Sequence, residues 1–179
     1  MQRWRVPLGF VCAAIFFLLS RPRPLTLAIG GAIALPGLAL RAWATGHLRK
    51  NDALAVTGPY AYTRNPLYLG SFLIGLGFTI ASGRFVLGIV FAALFLGIYL
   101  PVMRVESATL AELFGERCQR YLKAVPLFLP RLSPYRAGTQ GTARFDASLY
   151  KRYREYQAAV GLVIAWTLLA LKAFISSKF

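Results

Sequence analysis

Two polar segments carry the residues best suited to chemistry, and they flank a pair of apolar runs. The first segment, Gly58 to Gly70, contains Arg64-Asn65-Pro66 at the start of a predicted helix. A helix start offers unpaired backbone N–H groups and an arginine adds a fixed fork of donors, so this segment suits a carboxylate ligand. The second segment contains Glu106, directly after an apolar run. A carboxylate at a membrane boundary is costly without a partner, so Glu106 predicts an ion pair or a cationic ligand.

Ordinary structural roles explain the same residues one at a time. Proline is common at the first position of a helix, and Glu106 could simply pair with Arg104. Gly70, Gly75 and Gly77 remove side chains from one stretch of the predicted helix. This allows the close approach of a flat ligand or of another helix, and both alternatives stay open here.

The other reactive side chains do not form a site. His47 is the single histidine and a lone candidate base, but a histidine in a basic neighbourhood is more typical of a protein surface. Cys12 lies in an apolar run and Cys118 in a polar segment, and neither has metal-ligand spacing with His47. The sequence therefore predicts no metal site and no disulfide framework.

The elements that position these residues are apolar helices. The chain of 179 residues is 57% apolar and 15% charged, and its mean hydropathy of +0.54 indicates a lipid-embedded protein. We predict an all-α, multi-pass transmembrane bundle in one integral membrane domain, residues 1–179, with cytoplasmic cofactor regions at 45–65 and 104–155. The predicted spans, about five in number, are residues 4–20, 25–44, 66–83, 85–103 and 156–175.

Amphipathic helices are expected on the cytoplasmic side of this bundle. From Leu110 to Val125 apolar positions recur at helical spacing with charged residues between them, which fits a helix in the interface or covering the bundle. Asp146 can cap a last short amphipathic helix that leads into the fifth span. Ser133 to Ala143, rich in Gly, Thr and Ser, is predicted to be a loop.

The net charge of +15 could indicate nucleic-acid binding, but basic residues in so apolar a chain more often orient it and contact anionic lipid headgroups. With the N-terminus inside, 16 of the 21 Lys and Arg residues fall on the inner side. We therefore expect no nucleic-acid partner. The expected location is a bacterial inner membrane, with the N-terminus and the polar segments cytoplasmic.

Taken together, the two polar segments resemble the signature of the membrane methyltransferases that include isoprenylcysteine carboxyl methyltransferase and the phospholipid N-methyltransferases. The residues that fit in order and spacing are Gly58-Pro59-Tyr60, Arg64-Asn65-Pro66-Leu67-Tyr68-Leu69-Gly70, Glu106, Leu110, Phe114-Gly115, Tyr121, Val125-Pro126 and Pro130. Three positions depart from the pattern: Asn65 replaces a histidine, Ser107 a second glutamate and Cys118 a tyrosine. The Ser107 change leaves Glu106 without a carboxylate partner in that motif.

The resemblance implies S-adenosylmethionine as the cofactor and a lipophilic methyl acceptor that enters from the bilayer. The acceptor group would be the carboxylate or thiol of an isoprenylcysteine-like molecule, or a phospholipid amine. Arg64 and Glu106 are the candidates for a catalytic role. The cofactor-binding residues that the resemblance implies are Tyr60, Arg64, Asn65, Pro66, Tyr68, Leu69, Gly70, Gly77 and Glu106.

Two other functions fit the sequence less closely. One is an NADPH-dependent membrane reductase of the steroid 5-alpha reductase type, in which Arg117, Arg120 and Lys123 would hold the 2′-phosphate. The other is a non-enzymatic membrane scaffold, which would bind no cofactor. The spacing from Phe114-Gly115 to Tyr121 fits the methyltransferases better than the reductases.

Overall fold

The computed structural model describes residues 5–48, 54–136 and 144–177, and of residues 5–11 it describes the backbone alone. Within these ranges every regular element is a helix, which confirms the all-α prediction. A short 3-10 turn, Gly58–Ala61, and a π-helical segment, Phe95–Tyr99, accompany the α-helices. The α-helices are α1 Arg5–Leu19, α2 Pro24–Thr45, α3 Pro66–Ala81, α4 Phe85–Leu94, α5 Leu100–Ala124, α6 Ala147–Arg152 and α7 Tyr156–Ser176.

The local sequence explains where these helices begin and end. Pro24 and Pro66 occupy the first positions of α2 and α3, where a missing N–H costs no helical hydrogen bond. Gly83 adopts a φ of +63° in the turn between α3 and α4, a conformation that disfavours other residues. Asp146 caps α6 as predicted, because its carboxylate accepts a 2.8 Å hydrogen bond from the Ser148 backbone N–H.

Length and composition make three of the helices able to cross a membrane: Pro24–Thr45, the continuous stretch Phe85–Ala124, and Tyr156–Ser176. Helix α3 is apolar but has only 16 residues, which at 1.5 Å per residue extends about 24 Å. That is shorter than the ~30 Å hydrocarbon core, and α3 ends two residues before its predicted limit. Large apolar side chains of the longer helices face outward, among them Leu25, Leu35, Phe85, Ile89, Val163 and Phe174. The chain is therefore an integral membrane protein.

Helices α2 and α3 pack against each other through glycines. A Cβ atom added to Gly77 would lie 2.5 Å from the Gly30 carbonyl oxygen, and one added to Gly37 would lie 2.7 Å from the Gly70 carbonyl oxygen. Such distances leave no room for a methyl group. The sequence left open whether Gly70 and Gly77 face a flat ligand or another helix. In the structure both glycines face helix α2.

Helices α4 and α5 form one continuous rod through the π-helical segment Phe95–Tyr99. The expected amphipathic stretch from Leu110 therefore continues the fourth span only as far as Phe114, because the helix is kinked at Gly115. Its regular geometry is interrupted at Gly115, whose φ of +55° and ψ of −142° are not helical. Because β-carbons disfavour this conformation, glycine is the residue suited to the break.

An ion pair joins α7 to the α2–α3 pair. The Arg41 guanidinium donates to the Glu155 carboxylate at 2.5 Å and to the Ser71 hydroxyl at 2.5 Å. Both charged side chains are largely shielded from solvent, with 24% and 9% of their surface exposed. Arg41 therefore meets a carboxylate within the bundle.

Candidate functional site

The two polar segments lie against each other at one end of the bundle. The chain after α5 runs alongside the chain before α3, and backbone hydrogen bonds connect them. The Arg64 N–H donates to the Pro126 carbonyl at 3.0 Å, and the Arg131 N–H donates to the Tyr62 carbonyl at 2.9 Å. We call this region, residues 57–70 with residues 99–135, the motif end. Segments about 60 residues apart in the sequence thus lie side by side.

Polar side chains hold the two segments in register. The Thr63 hydroxyl donates to the Phe128 carbonyl at 2.8 Å, and the Asn65 amide donates to the Leu127 carbonyl at 2.9 Å. The Tyr121 hydroxyl is buried and donates to the Tyr60 carbonyl at 2.8 Å. These bonds satisfy carbonyl groups that would otherwise lack a partner in an irregular segment. The structure therefore gives Asn65 a bracing role between the motifs.

Glu106 lies beside the start of α3. Its Oε1 accepts a 2.9 Å hydrogen bond from the Tyr68 hydroxyl, and this contact replaces the Arg104 pair that the sequence left open. The Tyr60 side chain is 7% exposed and close enough for Glu106 to affect its ionisation. Burial above all, with the charges of Tyr121 and Glu106, raises the pKa of Tyr60, so its phenol stays neutral across the physiological range. Two tyrosine rings and one exposed carboxylate therefore share this corner.

Arg64 lies on the same segment, next to the helix start. Its Nε is buried without a hydrogen-bond partner, and it is the one buried side-chain nitrogen or oxygen atom in that condition among the described residues. Burial lowers the pKa of the Arg64 guanidinium, although the nearby Tyr121 and Cys118 act in the opposite direction. A buried donor without an acceptor is unfavourable by about 1–3 kcal/mol. The site therefore favours a ligand that brings an anionic oxygen to Arg64.

The sequence analysis missed an aromatic cluster that continues from Tyr68 into the bundle. Tyr68 contacts Tyr99 edge to face at 5.5 Å between ring centroids, and Tyr99 stacks on Phe95 at 5.0 Å. Phe72 and Phe128 extend the cluster, each within 5.5 Å of the Phe95 ring centre. Phe95 and Tyr99 belong to the π-helical segment, a geometry often found at functional sites. The cluster gives the motif end an apolar, π-rich wall beside Glu106.

The other predicted residues occupy supporting positions. Pro66 is buried at the first turn of α3, and the Leu69 N–H donates to the Asn65 carbonyl at 3.0 Å in that turn. Gly70 and Gly77 face α2, as described above. Of the nine predicted contacts, Tyr68 and Glu106 are joined by a hydrogen bond, and Tyr60 and Arg64 lie on the segment that precedes α3.

His47 lies at the end of α2 under the 3-10 turn. A Cβ on Gly58 would be 2.6 Å from the His47 ring, and the ring Nδ1 donates to the Trp43 carbonyl at 3.0 Å. This packing agrees with a structural histidine.

Burial raises the pKa of the Cys118 thiol, while Arg64 opposes the shift. Cys118 is fully buried, and among the described residues no cluster of His, Cys, Asp and Glu could hold a metal ion.

The Arg41–Glu155 pair was also missed. Glu155 is one of the charges that raise the pKa of Tyr60. Its two members are 114 positions apart. A single sequence contains no signal for that pairing beyond the scarcity of acidic residues, of which the chain has six.

Comparison with known proteins agrees with this arrangement. Residues 28–117 match the family model described as phospholipid methyltransferase, a range that includes most of α2, all of α3, Arg64 and Glu106. The chain is 36% identical over 154 residues to the cobalt-zinc-cadmium resistance protein CzcN of Cupriavidus metallidurans, covering 80% of this chain and 69% of that protein.

Two further relatives match over shorter regions. The chain is 36% identical over 83 residues to the protein-S-isoprenylcysteine O-methyltransferase of Schizosaccharomyces pombe, covering 46% of this chain and 35% of that protein. It is 36% identical over 89 residues to the nickel-cobalt-cadmium resistance protein NccN of Alcaligenes xylosoxydans xylosoxydans, covering 50% and 41%. No solved structure matches the chain. Because the family model matches half of the chain, including the first polar segment and Glu106, the chain belongs to the phospholipid methyltransferase family of integral membrane methyltransferases.

Proposed function

We propose that the protein transfers a methyl group from S-adenosylmethionine to a lipophilic acceptor at the motif end. The observation that carries this proposal is that two opposite electrostatic requirements occur on the two segments that meet at the motif end. Arg64 has a buried donor without an acceptor, and the exposed Glu106 carboxylate lies beside the neighbouring helix turn. The amino-acid part of S-adenosylmethionine is a zwitterion, so it meets both requirements with one molecule.

The residues at the motif end fit this cofactor. Glu106 would accept hydrogen bonds from the ammonium group, and Arg64 would donate to the carboxylate. Tyr60 and Tyr68 would line the adenine or the sulfonium, because the face of an aromatic ring attracts a cation. The bound cofactor supplies an electrophilic methyl group on a sulfonium, which is already a good leaving group.

The protein's own task is then alignment and exclusion of water. Burial keeps the phenol of Tyr60 neutral, and Tyr121 and Asn65 hold the two motifs at fixed separation. Such fixed geometry converts binding energy into orientation of the reacting groups. Among the described side chains of this corner, Tyr60 and Tyr68 are phenols and Glu106 already accepts a hydrogen bond from Tyr68, so none is arranged as a general base.

This lack of a base at the described corner favours an acceptor that needs no deprotonation. A carboxylate or a thiolate satisfies that condition, whereas an ammonium group must first lose a proton. The aromatic cluster of Phe72, Phe95, Tyr99 and Phe128 supplies an apolar surface along which an acceptor from the bilayer could reach the cofactor. We infer a bacterial inner-membrane location with the motif end cytoplasmic, where the cofactor is available.

Titration calorimetry of detergent-purified protein with S-adenosylhomocysteine tests the cofactor part of this proposal. Wild type should bind, and Arg64→Gln and Glu106→Gln should each weaken binding at least about tenfold, because each loses a charge-assisted hydrogen bond worth ~1.5–3 kcal/mol. Arg104→Gln and Glu112→Gln are matched controls on exposed positions of α5 and should bind like wild type. A folded wild type that ignores S-adenosylhomocysteine and binds NADPH would overturn the proposal.

The acceptor is tested by competition. Lipophilic carboxylates, thiols and amines of equal chain length are offered together with radiolabelled S-adenosylmethionine. Label is expected on the carboxylate or the thiol. Label confined to the amine would contradict the inferred acceptor class while leaving the methyltransferase assignment intact.

A further inference from the structure

A cavity lies at the opposite end of the helices from the motif end. Its volume is about 610 Å³, and it is formed where the α1–α2 turn, the α3–α4 turn and the end of α7 meet. The lining residues are Leu18 to Pro24, Arg84, Lys172, Ala173, Ser176 and Ser177. Helix α3, about 24 Å long, separates this cavity from Arg64. We call it the far cavity.

The far cavity is strongly cationic. Four of its lining residues carry positive charge: Arg21, Arg23, Arg84 and Lys172. The six acidic residues of the chain lie at positions 52, 106, 112, 116, 146 and 155, outside the segments that form this end. Within the described ranges, no ion pair includes any of the four cations. Four like charges around one space repel each other, so an anion there would be stabilised.

The framework of the far cavity is fixed by hydrogen bonds. The Arg21 N–H donates to the Ser82 carbonyl at 2.7 Å, and a Cβ on Gly83 would lie 2.5 Å from the Arg21 carbonyl oxygen, so the two turns touch. The Arg84 Nε donates to the Leu19 carbonyl at 3.2 Å. Lys172 donates to the carbonyls of Phe17 and Leu18, which orients its ammonium group at the cavity edge. The site is therefore largely formed in advance.

Two helix starts add to the positive potential. Arg23 precedes the first residue of α2 and Arg84 precedes that of α4, so both helix N-termini begin at the cavity. A helix N-terminus carries about half a positive charge and offers unpaired N–H groups. These helix starts act together with four side-chain cations around one cavity, a combination suited to a phosphate group.

The surroundings indicate where such a phosphate comes from. Leu18 is 74% exposed at the cavity edge, and Phe174 of α7 is 59% exposed just beyond it. These apolar surfaces extend from the cavity along α1 and α7, where lipid acyl chains would lie. A phospholipid can place its phosphate among the cations and its chains on these surfaces, whereas free phosphate uses the cations alone.

We propose that the far cavity binds the headgroup phosphate of an anionic phospholipid, in the leaflet opposite the methyl-transfer site. This lipid would be a bound structural partner separate from the methyl acceptor, and the inference does not depend on the proposed reaction. The usual distribution of charge across a membrane disfavours basic residues at this end. A bound anionic lipid would be a common ligand for them.

The test uses delipidated, detergent-purified full-length protein. Dioleoylphosphatidylglycerol and dioleoylphosphatidylcholine are titrated separately and bound lipid is counted by native mass spectrometry, while sodium phosphate is titrated by calorimetry. Arg21→Gln/Arg23→Gln removes two exposed cations of the cavity. Lys151→Gln/Arg152→Gln removes two adjacent exposed cations of α6 and is the matched control.

The proposal expects one phosphatidylglycerol to bind at least tenfold more tightly than phosphatidylcholine, and this preference to be lost in the Arg21/Arg23 variant but kept in the control. Equal preference in both variants would overturn it. Sodium phosphate binding as tightly as phosphatidylglycerol would show a free-anion site and overturn the lipid assignment. Should the double variant fail to fold, Arg21→Gln alone must still reduce the preference for the proposal to stand.

Discussion

The Tyr68 hydroxyl donates a 2.9 Å hydrogen bond to the Glu106 carboxylate and so connects the first turn of α3 to the rod formed by α4 and α5. This bond brings the two polar motifs of the chain into one corner. It also orients an exposed carboxylate that would otherwise be free to rotate, beside the Tyr68 ring that contacts Tyr99 edge to face.

Removing that hydroxyl should weaken cofactor binding without unfolding the protein. In Tyr68→Phe the aromatic ring stays and the Glu106 carboxylate loses its fixed orientation. We expect affinity for S-adenosylhomocysteine to fall about 2–10-fold, as for the loss of ~0.5–1.5 kcal/mol, measured by calorimetry. Tyr156→Phe, at an exposed position of α7, is the control and should bind like wild type. Unchanged affinity in Tyr68→Phe would show that Glu106 needs no orientation.

Tyr121→Phe should destabilise the motif end. The buried hydroxyl is the partner of the Tyr60 carbonyl, and its loss leaves that acceptor unsatisfied. Thermal unfolding in detergent should show a loss of about 1–3 kcal/mol in the free energy of unfolding. The same change at exposed Tyr156 should cost little. If both variants unfold at the wild-type temperature, the Tyr121 hydrogen bond does not stabilise the docking of the two motifs.

Gly77→Ala should disturb the α2–α3 contact. The added methyl group would lie 2.5 Å from the Gly30 carbonyl oxygen and 2.8 Å from the Ala34 Cβ, so the helices must separate. Overpacking of this kind costs about 1–3 kcal/mol. Gly161→Ala in α7 is the matched control, because no heavy atom lies within 4 Å of its added methyl group. Unfolding temperatures of the two variants should differ clearly, and similar values would contradict the observed packing.

Replacing one member of the Arg41–Glu155 pair should lower the stability of the protein more than replacing both members. Glu155→Gln leaves the shielded Arg41 guanidinium without its carboxylate, at a cost of about 3–5 kcal/mol. The double variant Arg41→Leu/Glu155→Gln should recover part of that stability. A double-mutant cycle by thermal unfolding measures the coupling, and strictly additive effects would rule out a direct pair.

Cys118 should resist alkylation in the folded protein. The thiol is fully buried and burial raises its pKa, so at pH 8 the reactive thiolate is a smaller fraction than in an exposed cysteine. In a Cys12→Ala background, N-ethylmaleimide should label Cys118 slowly until the protein is unfolded. Raising the pH increases the thiolate fraction. Labelling should nevertheless accelerate only in molecules that have unfolded, because the thiol is accessible in those alone. Rapid labelling of folded protein at pH 8 would contradict this burial.

The sequence by itself determined the apolar helices, their approximate limits and the motifs. Long uncharged runs, Pro66 at a helix start and Asp146 as a cap are local signals, because they depend on neighbouring residues alone. The resemblance also depends on order and spacing, and the family match confirms it.

Only the tertiary structure decided which of these residues meet. The bond from Asn65 to Leu127, the pair of Arg41 with Glu155 and the aromatic cluster around Phe95 join positions far apart in the chain. No local preference specifies them, since each depends on how rigid helices are placed by packing. The same reason explains Gly70 and Gly77: a glycine indicates close approach, and the fold alone determines that α2 is what approaches.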